Sequence, residues 1–550
     1  MSNTILIKNG TVMDGSGSPA YRADILIEQD RIADIGSFPN ANAAKTIDAA
    51  GLAIAPGFID VHTHLDFFLP CRRHATVLES WARQGVTTII AGNCGLSPAP
   101  INHAYEETVS TYWNFSLPYD GLSYEWTTMA EYLNFLERNG QAFNTAILTG
   151  HGMLRTNVMG FQARFANPDE ISQMKRMLKE SLEGGSIGLS LGLYYVPGIY
   201  SNTDEIMEIS SVLRDYHAPL VPHTRGMSET YPEAVQEVVS VAEEAQIPLH
   251  ISHFGSFVRD DPSVLERAIT TVREAAQRGV KIGHDYIPYS TGSTALISLF
   301  PPEVFDGGLD KFFARIEDPV VRRRIVHGWE TVVPAWPNWE HSWWTDNHYH
   351  NAFSSWSLIC LSGFRKEKNT QFENMSVDQI AATLNRDPFE TVFDLTLEEE
   401  GKLIVTGGGF DNPMDDEHIM KALCDPDCSV ATDIVGADFN SINPVAYGAF
   451  TRVLGRFARD AGVMTQEEAI RKMTSLPAKQ MGLKERGSLK KGFYADITVF
   501  NPKTVIDRAT FGNPYQFSDG IEYVLINGKP VLERGTYNAG AFAGKVLRRT

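Results

Sequence analysis

His62-Thr63-His64 sets two imidazoles two residues apart. On an extended strand such residues project to the same side, so both rings can approach one cation. Further donors of the same kind follow at wide intervals: Cys94, His223 and His253. Neutral imidazole and thiolate suit zinc, and a thiolate has lone pairs enough to bridge two ions. Asp433 adds a carboxylate that could take a proton from an activated water and pass it to a leaving amine. Each residue alone has a plainer explanation, as a surface pair, a satisfied core histidine or a small buried cysteine. Together they require a fold that gathers them.

The elements that must do the gathering are short apolar runs ending in polar or glycine residues. Eight such runs occur: PGFIDVHTH, GVTTIIAGNCG, NTAILTGHG, GSIGLSLGL, APLVPHTRG, IPLHISHFG, GVKIGHDYIPY and CSVATDIVG. Helix-like stretches separate most of them. Asp169 to Leu182 places Ile171, Met174, Leu178 and Leu182 on one face, and Thr203 to Tyr216 does so with Ile206, Ile209 and Leu213. Doubly buried strands alternating with helices predict an α/β fold with a parallel sheet, and eight units predict a closed, TIM-like (β/α)₈ barrel. Barrel active sites lie at the C-terminal ends of the strands. His62 and His64 end the first run, Cys94 the second, His223 the fifth, His253 the sixth and Asp433 the eighth. His250 lies three residues before His253 and so faces the other side of a strand. His253, which is followed by the loop, is the expected ligand of the two.

The two ends of the chain read as β-structure. ILIKNGTVMDG predicts a hairpin around Asn9-Gly10, ADILIEQDRIADIG turns again, and YVLINGKPVLERG turns at Asn527-Gly528. We expect a small β-sandwich built from residues 1–55 and 485–550, with the barrel over 56–484. A long insertion, about 290–425, separates the seventh and eighth runs and predicts a lid. It carries Trp336, Trp339, Trp343 and Trp344, which read as lid core or as an apolar substrate wall. His348-Tyr349-His350 repeats the H-x-H spacing there, but no barrel strand orients it, and it is not read as a metal site.

Composition narrows the class. Hydrophobic residues make up 43% and charged residues 21%, as in a folded globular protein. The 67 acidic residues against 48 basic ones, and the lack of a long Lys/Arg run, exclude a nucleic-acid partner. No apolar stretch approaches the ~20 residues needed to span a bilayer, and MSNTILIKNGTV is not a secretory signal. Five cysteines in 550 residues fit a reducing compartment, and the cytoplasm is expected. The expected partner is a small-molecule substrate. Assembly into a homo-oligomer stays open.

The motifs GFIDVHTHLD, QGVTTIIAGNCGLSPAP, GHGMLR, GLSLGLYYVPG, HTRG, ISH, DYIPYSTGST, ATD and YGAFTRVLGRFARD resemble the amidohydrolase superfamily, in its D-aminoacylase (N-acyl-D-amino-acid deacylase) branch. The resemblance covers nearly the whole chain, and GNCGLSPAP is its most specific part. It implies one or two Zn²⁺ ions, with Cys94, His223 and His253 at the tighter position and His62 and His64 at the more exposed one. It implies Asp433 as general acid/base in the hydrolysis of an amide.

The resemblance also places His151, Tyr195, Tyr289 and Ser293 in segments like substrate-contacting loops. For His151 a structural turn, and for Tyr195 core packing, serve equally well as explanations. Two basic positions of the branch are missing: Gly255 stands where a lysine is usual, and Asn443-Pro444-Val445 where His-Pro-Arg is usual. A substrate carboxylate would then need another partner, such as Arg225, whose plainer role is a structural salt bridge. Otherwise the substrate is a different amide, a cyclic amide or a lactone, without that carboxylate. A non-catalytic barrel scaffold predicts lost ligands, and none of the six is lost.

Overall fold

The structure, a computed structural model, describes residues 4–256, 258, 261–337, 344–347, 355–408, 419–436 and 443–549. Eight parallel strands run through the middle of the chain: β1 (Phe58–Asp60), β2 (Val86–Ala91), β3 (Asn144–Ile147, continued by Thr149–Gly150), β4 (Leu189–Gly192), β5 (Leu220–His223), β6 (Leu249–Ile251), β7 (Ile282–Tyr286) and β8 (Cys428–Val430). Nearly every residue in them is buried, which is why they read as continuous apolar runs. β1, β2 and β3 pair in order, and the second half of β3 continues through β4, β5, β6 and β7 to β8. Past β8 the chain returns to β1. Asp433 N–H donates to the His62 carbonyl (2.9 Å), His64 N–H to the Ile434 carbonyl (3.3 Å), and Thr63 bridges Ile434 in parallel. Buried Asp60 fastens this seam, accepting from Thr432 Oγ1 (2.7 Å) and from Trp81 Nε1 (2.8 Å).

The helix Pro168–Glu183 buries Met174, Leu178 and Leu182, as its periodicity requires, and begins with a reciprocal Asn167/Glu170 cap. The helix expected over Thr203 to Tyr216 is two pieces, Thr203–Ser210 and Leu213–Tyr216. At the break the Ser211 hydroxyl bonds back to the Glu208 carbonyl at 2.7 Å.

Strands from both ends of the chain share one nine-stranded sheet, continuous in its hydrogen bonding. Ala53–Pro56 pairs with Ile497–Phe500, which joins the halves. The Asn527-Gly528 turn is present, with φ of 49° and 74°. Asn9-Gly10 is instead a bulge. Thr4–Val12 is a single strand whose register against Tyr21–Glu28 shifts between Ile7 and Gly10. Asn9 takes φ 63° there, and its N–H finds Asp24 Oδ1 at 2.9 Å, so the same Asn-Gly pair bends a strand without reversing it. Val546–Leu547 leaves this sheet and pairs with β3.

The insertion has its own architecture. Thr291–Ala295, Ile404–Gly408 and Ile359–Ser362 form an antiparallel sheet, accompanied by helices Leu309–Glu317, Pro319–Thr331, Val377–Leu384 and Pro388–Glu398. Phe300, Phe305, Phe312, Trp329 and Phe393 pack within the same apolar core as Phe58, Ile89 and Val430 of the parallel strands. Trp344 packs against Gly328 of this unit, and Trp336 lines a groove on the outer helices with Glu233, Gln236 and Arg267. Trp339, Trp343, His348, Tyr349 and His350 lie outside the described residues.

Candidate metal centre

His62, His64, Cys94, His223, His253 and Asp433 come together where the strands end. Their donor atoms form two groups, one of His62, His64, Cys94 and Asp433, the other of Cys94, His223 and His253, and within each the atoms lie within 4.8 Å of one another. Cys94 belongs to both. Its Sγ stands 3.3 Å from His62 Nε2, 3.7 Å from His223 Nδ1 and 3.8 Å from His253 Nε2. Asp433 Oδ1 is 3.2 Å from Nε2 of both His62 and His64. All are buried except Asp433, whose side chain keeps 16% of its exposure.

The backbone is bent to make this possible. Cys94, His253 and Asp433 have φ of 51°, 34° and 48°, in the left-handed region that residues with a β-carbon seldom enter. Such conformations cluster at functional sites, where surrounding structure holds them. At the Cys94 turn the next residue must be glycine. Gly95 has φ 75°, and a β-carbon on it would lie 2.6 Å from the Gly192 nitrogen of β4.

Packing imidazoles, a thiol and a carboxylate so closely moves their protons. Burial alone would raise the Cys94 thiol, but the His62 ring and hydrogen bonds with His223, His253 and His62 bring it well below its usual range. Burial alone would lower His64, yet Asp433 and Cys94 carry it up to about 9. Both shifts arise because acidic and basic groups face one another across the same small space. Buried His223 Nε2, His253 Nδ1 and His64 Nδ1 have no hydrogen-bond partner among the described residues.

The other candidates take varied places. The Tyr195 ring lies 5.0 Å from the His223 ring, and its hydroxyl meets Thr294 Oγ1 at 3.2 Å, so it joins the centre to the insertion's sheet. Ser293 Oγ sits 3.0 Å from Thr406 Oγ1 and accepts from Asn443 Nδ2 at 3.0 Å. His151 is fully buried, 3.1 Å from Glu205, which also binds Arg155. Arg225 is fully buried in an ion pair with Glu237 (3.1 Å) and donates to the Ile199 carbonyl (3.0 Å). Its charge is matched inside the fold by Glu237. Tyr289 donates to Asp507 at 3.1 Å under the Arg452 guanidinium. A β-carbon on Gly255 would stand 3.0 Å from the Tyr286 ring, and Val445 is wholly in the core.

Two acidic residues at the site escaped sequence reasoning. Asp285 Oδ2 accepts from His250 Nε2 (3.0 Å) and lies 3.4 Å from His62 Nδ1. Asp66, two residues past His64, is fully buried with neither carboxylate oxygen partnered among the described residues, and burial pushes its pKa up to about 7. The signal for Asp285 was present, since it closes the seventh apolar run as the other donors close theirs.

Parallel strands ending in a thiolate, imidazoles and a carboxylate define a metal-dependent hydrolase. The chain belongs to the amidohydrolase family, whose sequence profile matches residues 45–340 and 370–532. D-aminoacylase of Alcaligenes xylosoxydans xylosoxydans is 32% identical over 547 residues, covering 99% of this chain and 98% of its own. N-acyl-D-glutamate deacylase of the same organism is 30% identical, covering 99% and 96%. Among solved structures, N-acyl-D-glutamate deacylase from Bordetella bronchiseptica, complexed with zinc and a phosphonate mimic of the tetrahedral intermediate, superposes with a TM-score of 0.79 at 27% identity, covering 99% of each chain. D-aminoacylase, described with a binuclear metal centre, superposes equally well at 28% identity and the same coverage. The protein is accordingly a metal-dependent amide hydrolase, acting on carbon–nitrogen bonds other than peptide bonds.

Proposed function

We propose that the protein removes the acyl group from an N-acyl amino acid of D configuration, with its centre at the mouth of a closed (β/α)₈ barrel. The observation that carries this reading is Cys94, one thiolate shared by two donor groups, in a chain that aligns end to end with two deacylases of this kind. The donor set fits zinc: a sulfur and imidazole nitrogens crowd together. Cys94, His223 and His253 would hold the tighter ion, and His62 and His64 with Cys94 would hold a second. Zinc bound there would polarise the amide carbonyl and make water nucleophilic at neutral pH.

The chain's own groups do the rest. Asp433, the most exposed member of the site, takes the proton that the attacking water must lose and delivers it to the departing nitrogen. The Asp433 carboxylate stands 3.2 Å from Nε2 of both His62 and His64, beside the ligands of the more exposed position. Burial raises its pKa, but both rings pull it well below the usual carboxylate range. Ser293 and Thr294 of the insertion's sheet, with Tyr195 beside Thr294, offer neutral hydrogen bonds to the substrate.

A second substrate reading has a specific observation behind it. Arg225 is spent on Glu237, Gly255 lies under Tyr286, and Val445 is in the core, so none of these three positions supplies a cation for a substrate carboxylate. That favours an amide, cyclic amide or lactone without one. Turnover of N-acetyl-D- and L-amino acids, cyclic imides and bulky aromatic amides by zinc-loaded protein, with metal content measured on the same sample, tests both. Preference for the N-acetyl-D-amino acids supports the deacylase. Activity confined to substrates without the carboxylate supports the second reading, and zinc-loaded protein inert on the whole panel overturns both.

A further inference from the structure

We infer that Asp285 is the positioning residue that sets both halves of the metal centre, an assignment that rests on the ligand set proposed above. Asp285 lies near the C-terminal end of β7 and is fully buried. Its two oxygens serve three donors. Oδ2 accepts from His250 Nε2 at 3.0 Å and faces His62 Nδ1 at 3.4 Å, and Oδ1 accepts the backbone N–H of His253 at 2.8 Å. One side chain therefore reaches a ligand of β1 through its ring and the ligand following β6 through its backbone.

The chemistry follows from what a carboxylate can do. Ionised, it only accepts, so the His62 nitrogen facing it must carry the proton. That leaves His62 Nε2 bare, and Nε2 is the atom turned toward Cys94 Sγ (3.3 Å) and Asp433 Oδ1 (3.2 Å). Asp285 thus fixes the tautomer in which His62 can ligate. At His253 it does a different job. The residue has φ 34°, and its N–H is tied to Oδ1 through that strained turn, so the carboxylate holds the conformation that brings Nε2 within 3.8 Å of Cys94. His250, which belongs to neither donor group, supplies the third bond and keeps the carboxylate from rotating. Because His62 and His253 belong to different donor groups, Asp285 couples the two positions.

The test is a chelator competition on full-length, zinc-loaded protein. Asp285→Asn is compared with wild type and with Glu237→Gln, a buried carboxylate that contacts no ligand side chain. Removing such an orienting partner is expected to weaken zinc binding about tenfold or more. We expect that loss in Asp285→Asn at both positions, with metal-free protein unchanged in circular dichroism, and little loss in Glu237→Gln. Zinc affinity within about twofold of wild type, or an equal loss in Glu237→Gln, would overturn the assignment. If Asp285→Asn does not fold, imidazole ¹⁵N spectra of zinc-loaded wild type decide. A protonated Nδ1 and a metal-shifted Nε2 on His62 support it, and a bare Nδ1 sinks it. Wild type that takes up no zinc would remove the ligand set and this assignment together, whereas normal zinc uptake with an indifferent Asp285→Asn removes this assignment alone.

Discussion

Cys94 and Asp433 divide the labour of the site at the scale of single residues. Cys94 is shared by both donor groups and fully enclosed, while Asp433 touches only the His62/His64 side and keeps some solvent access. Replacing Asp433 with Asn should therefore leave zinc at Cys94, His223 and His253 while turnover falls by about 10²- to 10⁴-fold, the usual worth of a general acid/base. Metal analysis beside steady-state rates checks this, and near-normal turnover would end the role given to Asp433. The six donors were legible because each follows an apolar run at a strand end. Arg225 was not fully legible, since its use is decided by Glu237, which comes from the next helix. Asp285 stands in the seventh apolar run, but its neighbours in sequence mark no role for it. Its meaning lies in three donors brought to it from β1 and β6.

At the scale of elements, the turns after the strands carry the precision. The GNCG turn depends on Gly95, and Gly95→Ala should force this turn away from β4. A lower melting temperature and easier zinc loss to a chelator are expected together; stability reduced with zinc retention intact would count against the turn's part in holding Cys94.

A second turn sets a pH dependence. Buried His74 accepts the Ala142 N–H at Nε2 (3.1 Å) and faces the Cys71 carbonyl with Nδ1 (2.7 Å), an arrangement only the neutral ring can make. Burial lowers its pKa from 6.5 to about 4. The unfolded chain therefore takes up the proton first. Stability from this group is complete above about pH 6.5 and is lost as pH falls toward 4, by roughly 3 kcal/mol. Urea unfolding at pH 7 and pH 4.5 should show the loss, and His74→Gln should flatten it.

Secondary structure was legible where periodicity was long, as in Pro168–Glu183. It misled where one dipeptide served two purposes. Asn527-Gly528 reverses the chain, whereas Asn9-Gly10 bends a strand, because Asp24 and Arg22 on the paired strand capture the backbone at Asn9.

At the scale of the whole molecule, the terminal sheet and the parallel strands are joined by a buried polar network. Asn527 Nδ2 donates to Asn144 Oδ1 of β3 (2.8 Å) and to the Ala543 carbonyl (2.9 Å), while its Oδ1 accepts from Arg486, itself paired with Asp496. Asn527→Ala would strand several of these groups at about 1–3 kcal/mol each and lower the melting temperature by several degrees. An unchanged melting curve would mean that the two units are held by apolar contact alone. The sequence showed that both ends were β-structure, but not that Val546–Leu547 would pair with β3, because a two-residue strand has no period to read.

That late pairing bears on how the protein is made. Asn144 leaves the ribosome long before Asn527 and Lys545, which it contacts in the finished fold. Likewise, Ala53–Pro56 must wait for Ile497–Phe500 before its sheet is whole. Through most of translation, β3 and the N-terminal strands are exposed edges without their final neighbours, and such edges pair readily with foreign strands. A nascent chain of this kind depends on chaperone shelter or rapid completion, and a stalled ribosome would leave it in its most aggregation-prone form.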